Sequence, residues 1–222
     1  MTRPYCAFAL VLAAGLLGSA AARAEDFVPP PAIPGDGAAM ATLARMPSSR
    51  LRLGGLDIVL EETPLATVQE MLSSGAIAER GDAAEHMSWL CYTYESEGTR
   101  QRLWIISSGE FGGAEHAADG IAAAVIAADG PAPESCPALP AGVPVWLDYK
   151  VWLGVSRDEL IHRLGKPSQE RGDILHFVYD GDVKHAAHRG GETDDVIVTS
   201  HLMVELNEGR IQRLWASKTT AD

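Results

Sequence analysis

The sequence has no excess of positive charge, and this shortage argues against nucleic acid as a partner. It carries 18 Lys and Arg residues against 30 Asp and Glu residues, a formal net charge of −12 at pH 7. Nucleic-acid binding depends on Lys and Arg contacts to the negatively charged phosphates, and a negatively charged protein is repelled by them. Acidity also favours solubility, so the charge by itself identifies no partner.

The main part of the chain also lacks an apolar run long enough to span a membrane. The best such run, residues 120–128, has nine residues, whereas a spanning helix needs roughly 20. The first 24 residues instead have the form of a signal peptide. Arg3 supplies the positive start, residues 7–17 are apolar, and Ala22-Arg23-Ala24 is a cleavage site. We therefore expect a bacterial protein that is periplasmic or secreted. An N-terminal membrane anchor is the alternative, although its apolar run would be short.

Catalytic signatures are missing as well. The chain contains no H-E-x-x-H, G-x-S-x-G or S-x-x-K arrangement, so we expect no enzyme and no cofactor. His185 and His188, with carboxylates nearby, could bind zinc and would then make a metal-dependent enzyme the remote alternative. Because glycines surround this pair, a solvated polar loop explains it better, and we predict no metal site.

Cysteine is scarce, with three residues in the whole chain. Removal of the signal peptide takes Cys6 away and leaves Cys91 and Cys136. An even pair in an exported chain predicts a disulfide, with a free thiol or a metal ligand as the alternatives. A closed loop of about 45 residues would stabilise the fold by roughly 4 kcal/mol on the chain-entropy model.

Patterns of proline and of apolar residues divide the remaining chain. Residues 25–49 contain Pro29-Pro30-Pro31 and predict an extended arm or linker. Residues 50–135 and 147–220 each carry a helix followed by alternating strands, and a proline-rich linker, residues 136–146, joins them.

The helix of the second unit is defined at both ends by its sequence. Ser156 and Glu159 form a capping box, apolar residues follow at helical spacing, and Gly165 can end the helix before Pro167. The first unit offers a counterpart in which Thr63 and Pro64 begin a helix.

The two units correspond over most of their length. Leu56 matches Leu147 at an offset of 91 residues, Leu72 matches Leu164 at 92, and Glu-Arg-Gly-Asp occurs at residues 79–82 and again at 170–173. The spacing predicts a tandem duplication. The expected fold class is α+β, in which two tandem helix-plus-antiparallel-sheet repeats form one continuous concave sheet with the helices on one side.

The second unit resembles a known module. The segment from Leu153 to Pro167, the strand that ends at Tyr179, and residues 204–211 are similar to the small protein A/outer-membrane lipoprotein A family. They are also similar to the tandem-repeat β-lactamase inhibitor proteins built from the same unit. The first unit departs from the motif at residues 62–64. The resemblance implies two sheets aligned into one concave surface that grips a partner protein.

Strand alternation predicts which side chains share a face. Leu90, Tyr92 and Tyr94, with Leu175, Phe177 and Tyr179, should form the core under the helices. The opposite face should be open, and Trp104 is its expected central anchor. The alternative is that the arm or the opposite half covers this face. The predicted binding residues are Trp89, Trp104, Trp152, His176 and Met203.

These patterns lead to a ranked functional hypothesis. We expect a periplasmic module that binds or inhibits another protein, such as a soluble envelope enzyme. The alternative is a structural factor that supports an outer-membrane or envelope assembly.

Overall fold

The computed structural model describes residues 27–35, 41–109, 113–128, 131–184 and 195–221. Residues 1–24, the expected signal peptide, lie outside these ranges. Within them, the chain forms eleven strands and two α-helices. The elements are β1 (Arg50–Leu53), β2 (Leu56–Val59), α1 (Leu65–Leu72), β3 (Ala78–Arg80), β4 (Met87–Ser96), β5 (Thr99–Ser108), β6 (Gly120–Ile126), β7 (Val145–Leu147), α2 (Arg157–Leu164), β8 (Gln169–Arg171), β9 (Ile174–Lys184), β10 (Asp195–Asn207) and β11 (Arg210–Ala221).

Eight strands form one antiparallel sheet in the order β3-β4-β5-β6-β11-β10-β9-β8. The two halves of the chain meet at its centre, where β6 pairs with β11. Hairpins with tight turns connect β4 to β5 and β10 to β11, and both turns place a Glu-Gly pair, Glu97-Gly98 and Glu208-Gly209, at positive φ. Side chains on neighbouring strands are therefore held in a fixed register across the sheet.

The predicted fold class, α+β with two tandem helix-plus-antiparallel-sheet repeats, is wrong. The chain is β-rich, with 47% strand and 12% helix, and it has two sheets. The second sheet has the order β2-β1-β7, so the segments expected to open the two repeats pair with each other instead of joining the large sheet. The helices are also short, at eight residues each. Apolar strand residues, rather than helices, therefore supply most of the core.

The two helices begin differently. Ser156 caps α2 by accepting a hydrogen bond from the Glu159 amide at 3.3 Å, as the capping box predicts. The hydroxyl of Thr63 does not cap α1 and instead accepts a hydrogen bond from the Val59 amide at 3.0 Å. In the part of the chain that the structure describes, no helix is long and apolar enough to cross a bilayer.

The main core lies on one face of the large sheet and includes buried residues of both helices and of the three-stranded sheet. Leu90, Tyr92 and Phe177, predicted from alternation, are fully buried there, and Tyr94 is nearly so. The buried leucines of both helices belong to the same cluster. The side chains that alternate with these core residues must therefore point to the other face of the sheet.

The proline-rich connection between the halves runs along the edge of β4. Beyond the end of β3, the Thr93 amide donates to the Pro137 carbonyl at 3.0 Å, and the Leu139 amide donates to the Thr93 carbonyl at 2.8 Å. The sulfurs of Cys91 and Cys136 lie at bonding distance, with the two Cα atoms 4.6 Å apart. Both cysteines are buried, so the disulfide fixes this connection to the sheet.

We predict that this disulfide stabilises the fold strongly. Replacement of both cysteines, Cys91→Ala with Cys136→Ala, should lower the free energy of unfolding by about 4 kcal/mol, because the disulfide restricts the unfolded chain. Urea unfolding without reductant measures the loss, and reduced wild-type protein should match the double variant. An unchanged unfolding midpoint would contradict this role.

Candidate functional site

One row of side chains crosses the large sheet on the face away from the helices. The strand register aligns Cys91, Trp104, Ala122, Trp215, Met203 and His176 on six successive strands. Trp89 lies two residues before Cys91 on β4 and therefore shares this face. We call these seven residues the tryptophan face. All of them except His176, a buried polar residue, belong to a second hydrophobic cluster, separate from the main core.

The N-terminal arm, which we define as residues 27–35, lies on the tryptophan face. Phe27 and Val28 pack against the second cluster. The indole N–H groups of Trp89 and Trp104 both donate to the Val28 carbonyl, at 3.0 and 3.1 Å. The indole of Trp215 donates to the Pro31 carbonyl at 3.0 Å. Three tryptophans thus bind the backbone of one segment.

The sequence of the arm explains why its carbonyls are available. Proline has no amide donor and fixes φ near −65°, and residues that precede proline are restricted to extended conformations. Val28, Pro29 and Pro30 all precede a proline. Such a segment forms no internal hydrogen bonds, so its carbonyls are free to accept bonds from outside.

The spacing of the arm matches the spacing of the sheet. A polyproline II segment has three residues per turn and rises about 9 Å per turn. Carbonyls 28 and 31 are one such turn apart. Trp104 and Trp215 lie on β5 and β11, which are separated only by β6, and two strand spacings amount to about 9.6 Å. One turn of the arm therefore carries its carbonyls from one indole to the next.

Small side chains line the strand between these two indoles. Ala122 and Ala124 on β6 are buried in the second cluster, and Ala122 lies directly between Trp104 and Trp215 in the register. Large side chains at these positions would hold a covering segment further from the sheet. The alanines let the arm backbone approach the sheet within hydrogen-bonding distance of the flanking indoles.

A cavity of about 600 Å³ lies beside the arm, and strands from both halves of the sheet line it. Apolar atoms of Met203 and Trp215 line it, together with Pro31 of the arm. His176 and His201 also line it, their rings stack, and His176 Nε2 lies 3.0 Å from His201 Nδ1. The arm thus leaves a space beside it whose walls combine apolar side chains, a pair of histidines and charged residues.

Three charged residues, Arg80, Asp119 and Lys218, lie at the rim of this cavity. Burial raises the pKa of Asp119, although its carboxylate accepts hydrogen bonds from the Ser108 amide and hydroxyl. Lys218 forms an ion pair with Glu61 at 3.1 Å. Burial alone would raise the pKa of Glu61, but hydrogen bonds from Thr220 and Lys218 outweigh it and lower the pKa.

Four of the five predicted binding residues meet on this face. Trp89, Trp104, His176 and Met203 are brought together, but they are only 3–5% exposed. The expectation of an open face is therefore wrong. The alternative, that the arm covers the face, holds for Trp89 and Trp104, whose indoles bind Val28, whereas His176 and Met203 line the cavity beside the arm.

Trp152 was assigned to this face wrongly. Its side chain belongs to the main core on the helix side, where its indole donates to Tyr94 Oη and, at 3.0 Å, to Gln101 Oε1. Trp152 precedes α2 in a loop rather than a strand, so alternation gave no guide to its direction.

Sequence reasoning missed Trp215, which supplies the third indole donor. The signal was present, because Leu214 and Ala216 pack in the main core and Trp215 between them must point the other way. A bulge near Leu206 shifts the pairing of β10 with β11 and obscured this alternation.

The histidine pair suggested for zinc, His185 and His188, lies outside the described residues. Among the residues that are described, no three His, Cys, Asp or Glu side chains are grouped so that they could hold a metal ion.

Comparisons with known proteins add no relative. The sequence matches no protein-family model, and no curated protein and no solved structure matches the chain.

We predict that Trp104 is as important for stability as a residue of the main core. Trp104→Ala and Tyr92→Ala should each lower the free energy of unfolding by about 3–5 kcal/mol, because both truncations leave a cavity among buried neighbours. Chemical unfolding measures both losses, with Trp146→Ala, at a half-buried position, as the milder control. A cost below about 1 kcal/mol for Trp104→Ala would mean that the arm does not cover this residue.

Proposed function

We propose that this chain is an exported bacterial protein-binding module whose tryptophan face grips an extended segment of another protein. The observation that carries the proposal is the set of three indole N–H groups that bind the backbone carbonyls of residues 28 and 31. Every sequence has backbone carbonyls, so a surface that binds them can bind a segment of a different sequence in the same way. Tryptophan is also the residue type most enriched among energetic anchors of protein interfaces.

Inhibition of a soluble envelope enzyme is the form of this function that we favour. It rests on the resemblance of residues 153–167 and 204–211 to the β-lactamase inhibitor proteins, which grip a partner with a sheet surface. A structural role in an envelope assembly is the second candidate, favoured by the resemblance to the outer-membrane lipoprotein module.

Export is part of the same proposal. Residues 1–24 have the pattern of a signal peptide, and the disulfide between Cys91 and Cys136 suits an oxidising compartment such as the periplasm. Cleavage before Glu25 would leave the arm at the start of the mature chain. An end that is free on one side can leave a surface more easily than a loop held at both ends.

Site-specific photo-crosslinking in periplasmic extract tests the binding surface. A photoreactive side chain at Ile106, which packs against the tryptophan face, should form a covalent adduct with the partner. The same side chain at Met71, which is 51% exposed on α1, is the control and should form none. Mass spectrometry of the adduct then separates the two roles. A soluble hydrolase indicates inhibition, whereas a component of a membrane assembly indicates a structural role.

The opposite pattern would contradict the proposal. If Met71 forms the adduct and Ile106 does not, the partner binds the helices rather than the tryptophan face. If neither position nor a third one at Ile33, on the exposed side of the arm, forms an adduct, the face does not bind a protein in this extract.

A further inference from the structure

The arm behaves like a ligand that is attached to its own receptor. It contacts the tryptophan face through two carbonyls and through the side chains of Phe27 and Val28. It carries no charged residue between Phe27 and Gly35. These are the features by which aromatic-lined grooves recognise proline-rich peptides, in which the extended segment loses little conformational entropy on binding.

Residues 43–49, which follow the arm, are bound to other parts of the protein. The Leu43 amide donates to the Val178 carbonyl at 2.7 Å, and Leu43 packs against the main core on the helix side. The Ser48 carbonyl accepts a hydrogen bond from Ser200, and Ser49 binds the carboxylate of Asp148. These contacts are independent of the tryptophan face, so the arm can leave the face without loss of the contacts that anchor residues 43–49.

The arm also fills the face incompletely. Beyond Pro31, Ala32 and Ile33 line the cavity, but Ala32 is exposed and Ile33 is 63% exposed. The cavity of about 600 Å³ opens at this point, beside Met203, His176 and the indole of Trp215. Met203, Trp215 and His176 are already only 4–6% exposed, so a segment that continued past the position of Pro31 would gain packing contacts inside this cavity, and those contacts would favour it over the arm.

We propose that the partner is recognised through a proline-rich extended segment, and that this segment takes the place of residues 27–35. The inference rests on the proposed protein-binding function and specifies its ligand. The segment presents two backbone carbonyls three residues apart, as Val28 and Pro31 do. It begins with an apolar residue in the position of Phe27 or Val28, and it continues over Met203 into the cavity.

The arm then regulates its own binding surface. Because the arm belongs to the same chain, its binding is intramolecular, and an external segment must compete with its effective concentration at the face. An external segment binds only if it outweighs this internal competitor. A weakened arm must therefore raise the apparent affinity for the external segment, whereas a change at an exposed arm position must not.

Peptide titration of the full chain tests the proposal. The arm variant combines Phe27→Ser and Val28→Ser, and Ile33→Ser is its matched control, because it removes an apolar side chain that is exposed in the same arm. The probes are a blocked synthetic peptide with the sequence of residues 27–34 and the same peptide with alanine in place of its three consecutive prolines. Tryptophan fluorescence and calorimetry measure binding, and circular dichroism checks that each variant is folded.

The proposal predicts that the proline peptide binds the arm variant at least tenfold more tightly than it binds wild type or the Ile33→Ser control. The alanine peptide should bind the arm variant at least tenfold more weakly than the proline peptide. Trp104→Phe, which removes one indole donor and keeps an aromatic ring, should weaken binding of the proline peptide to the arm variant about fivefold.

Three results would overturn the proposal. Equal binding to wild type and to the arm variant would show that the arm does not compete for the site. Equal binding of the two peptides would show that proline is not recognised, while the proposed grip on extended segments would stand. Dimers of the wild-type chain that exchange their arms, seen as a doubled mass, would make a second copy the occupant. Failure of the Ile106 crosslink, in contrast, bears on the protein-binding function itself.

Discussion

The tryptophan face is governed by the need of buried indole N–H groups for acceptors. Trp89, Trp104 and Trp215 are almost fully buried, and a buried donor without a partner costs about 1–3 kcal/mol. The central strands β5, β6 and β11 are paired on both sides, so their own carbonyls are used within the sheet. The acceptors must therefore come from a segment outside the sheet, and the carbonyls of that segment must not be engaged in other hydrogen bonds.

A proline-rich segment meets this requirement better than most sequences. It lacks amide donors at its prolines, so it brings few buried donors of its own to the apolar face. The Val28 carbonyl accepts from two indoles, which uses both of its lone pairs. The need of the indole N–H groups for acceptors also makes the face selective. Any segment that takes the place of the arm must offer carbonyls at the spacing of the indoles.

Several local features could be predicted from the sequence because they depend on neighbours in the chain. The strands around Leu90 and Phe177, and the cap of α2 at Ser156, follow from alternation and from capping chemistry. The β-rich fold could not be predicted this way. The pairing of β1 with β7 joins segments far apart in sequence, and neither periodicity nor the apparent repeat encodes that choice. The repeat spacing favoured two helix-plus-sheet repeats in one continuous sheet and so led to the wrong fold class.

The candidate site could be predicted only in part, because strand alternation locates strand residues but not loop residues. Trp104, Met203 and His176 lie in strands, so their common face could be inferred. Trp152 lies in a loop, where no alternation applies, and its place in the main core depends on Tyr94 and Gln101. The cover over the face depends on a segment whose sequence indicates only that it is extended. That its carbonyls match the indole spacing emerges only when the sheet order is known.

Hydrogen exchange at the indole N–H groups tests most directly whether the arm occupies this face. The chain has five tryptophans, so nuclear magnetic resonance of nitrogen-labelled protein gives five indole signals that can be assigned by substitution. The signals of Trp89, Trp104 and Trp215 should exchange slowly in wild type and faster when Phe27 and Val28 are replaced by serine. The signal of Trp152 should stay slow in both. Fast exchange at the first three in wild type, or no response to the arm variant, would contradict the account.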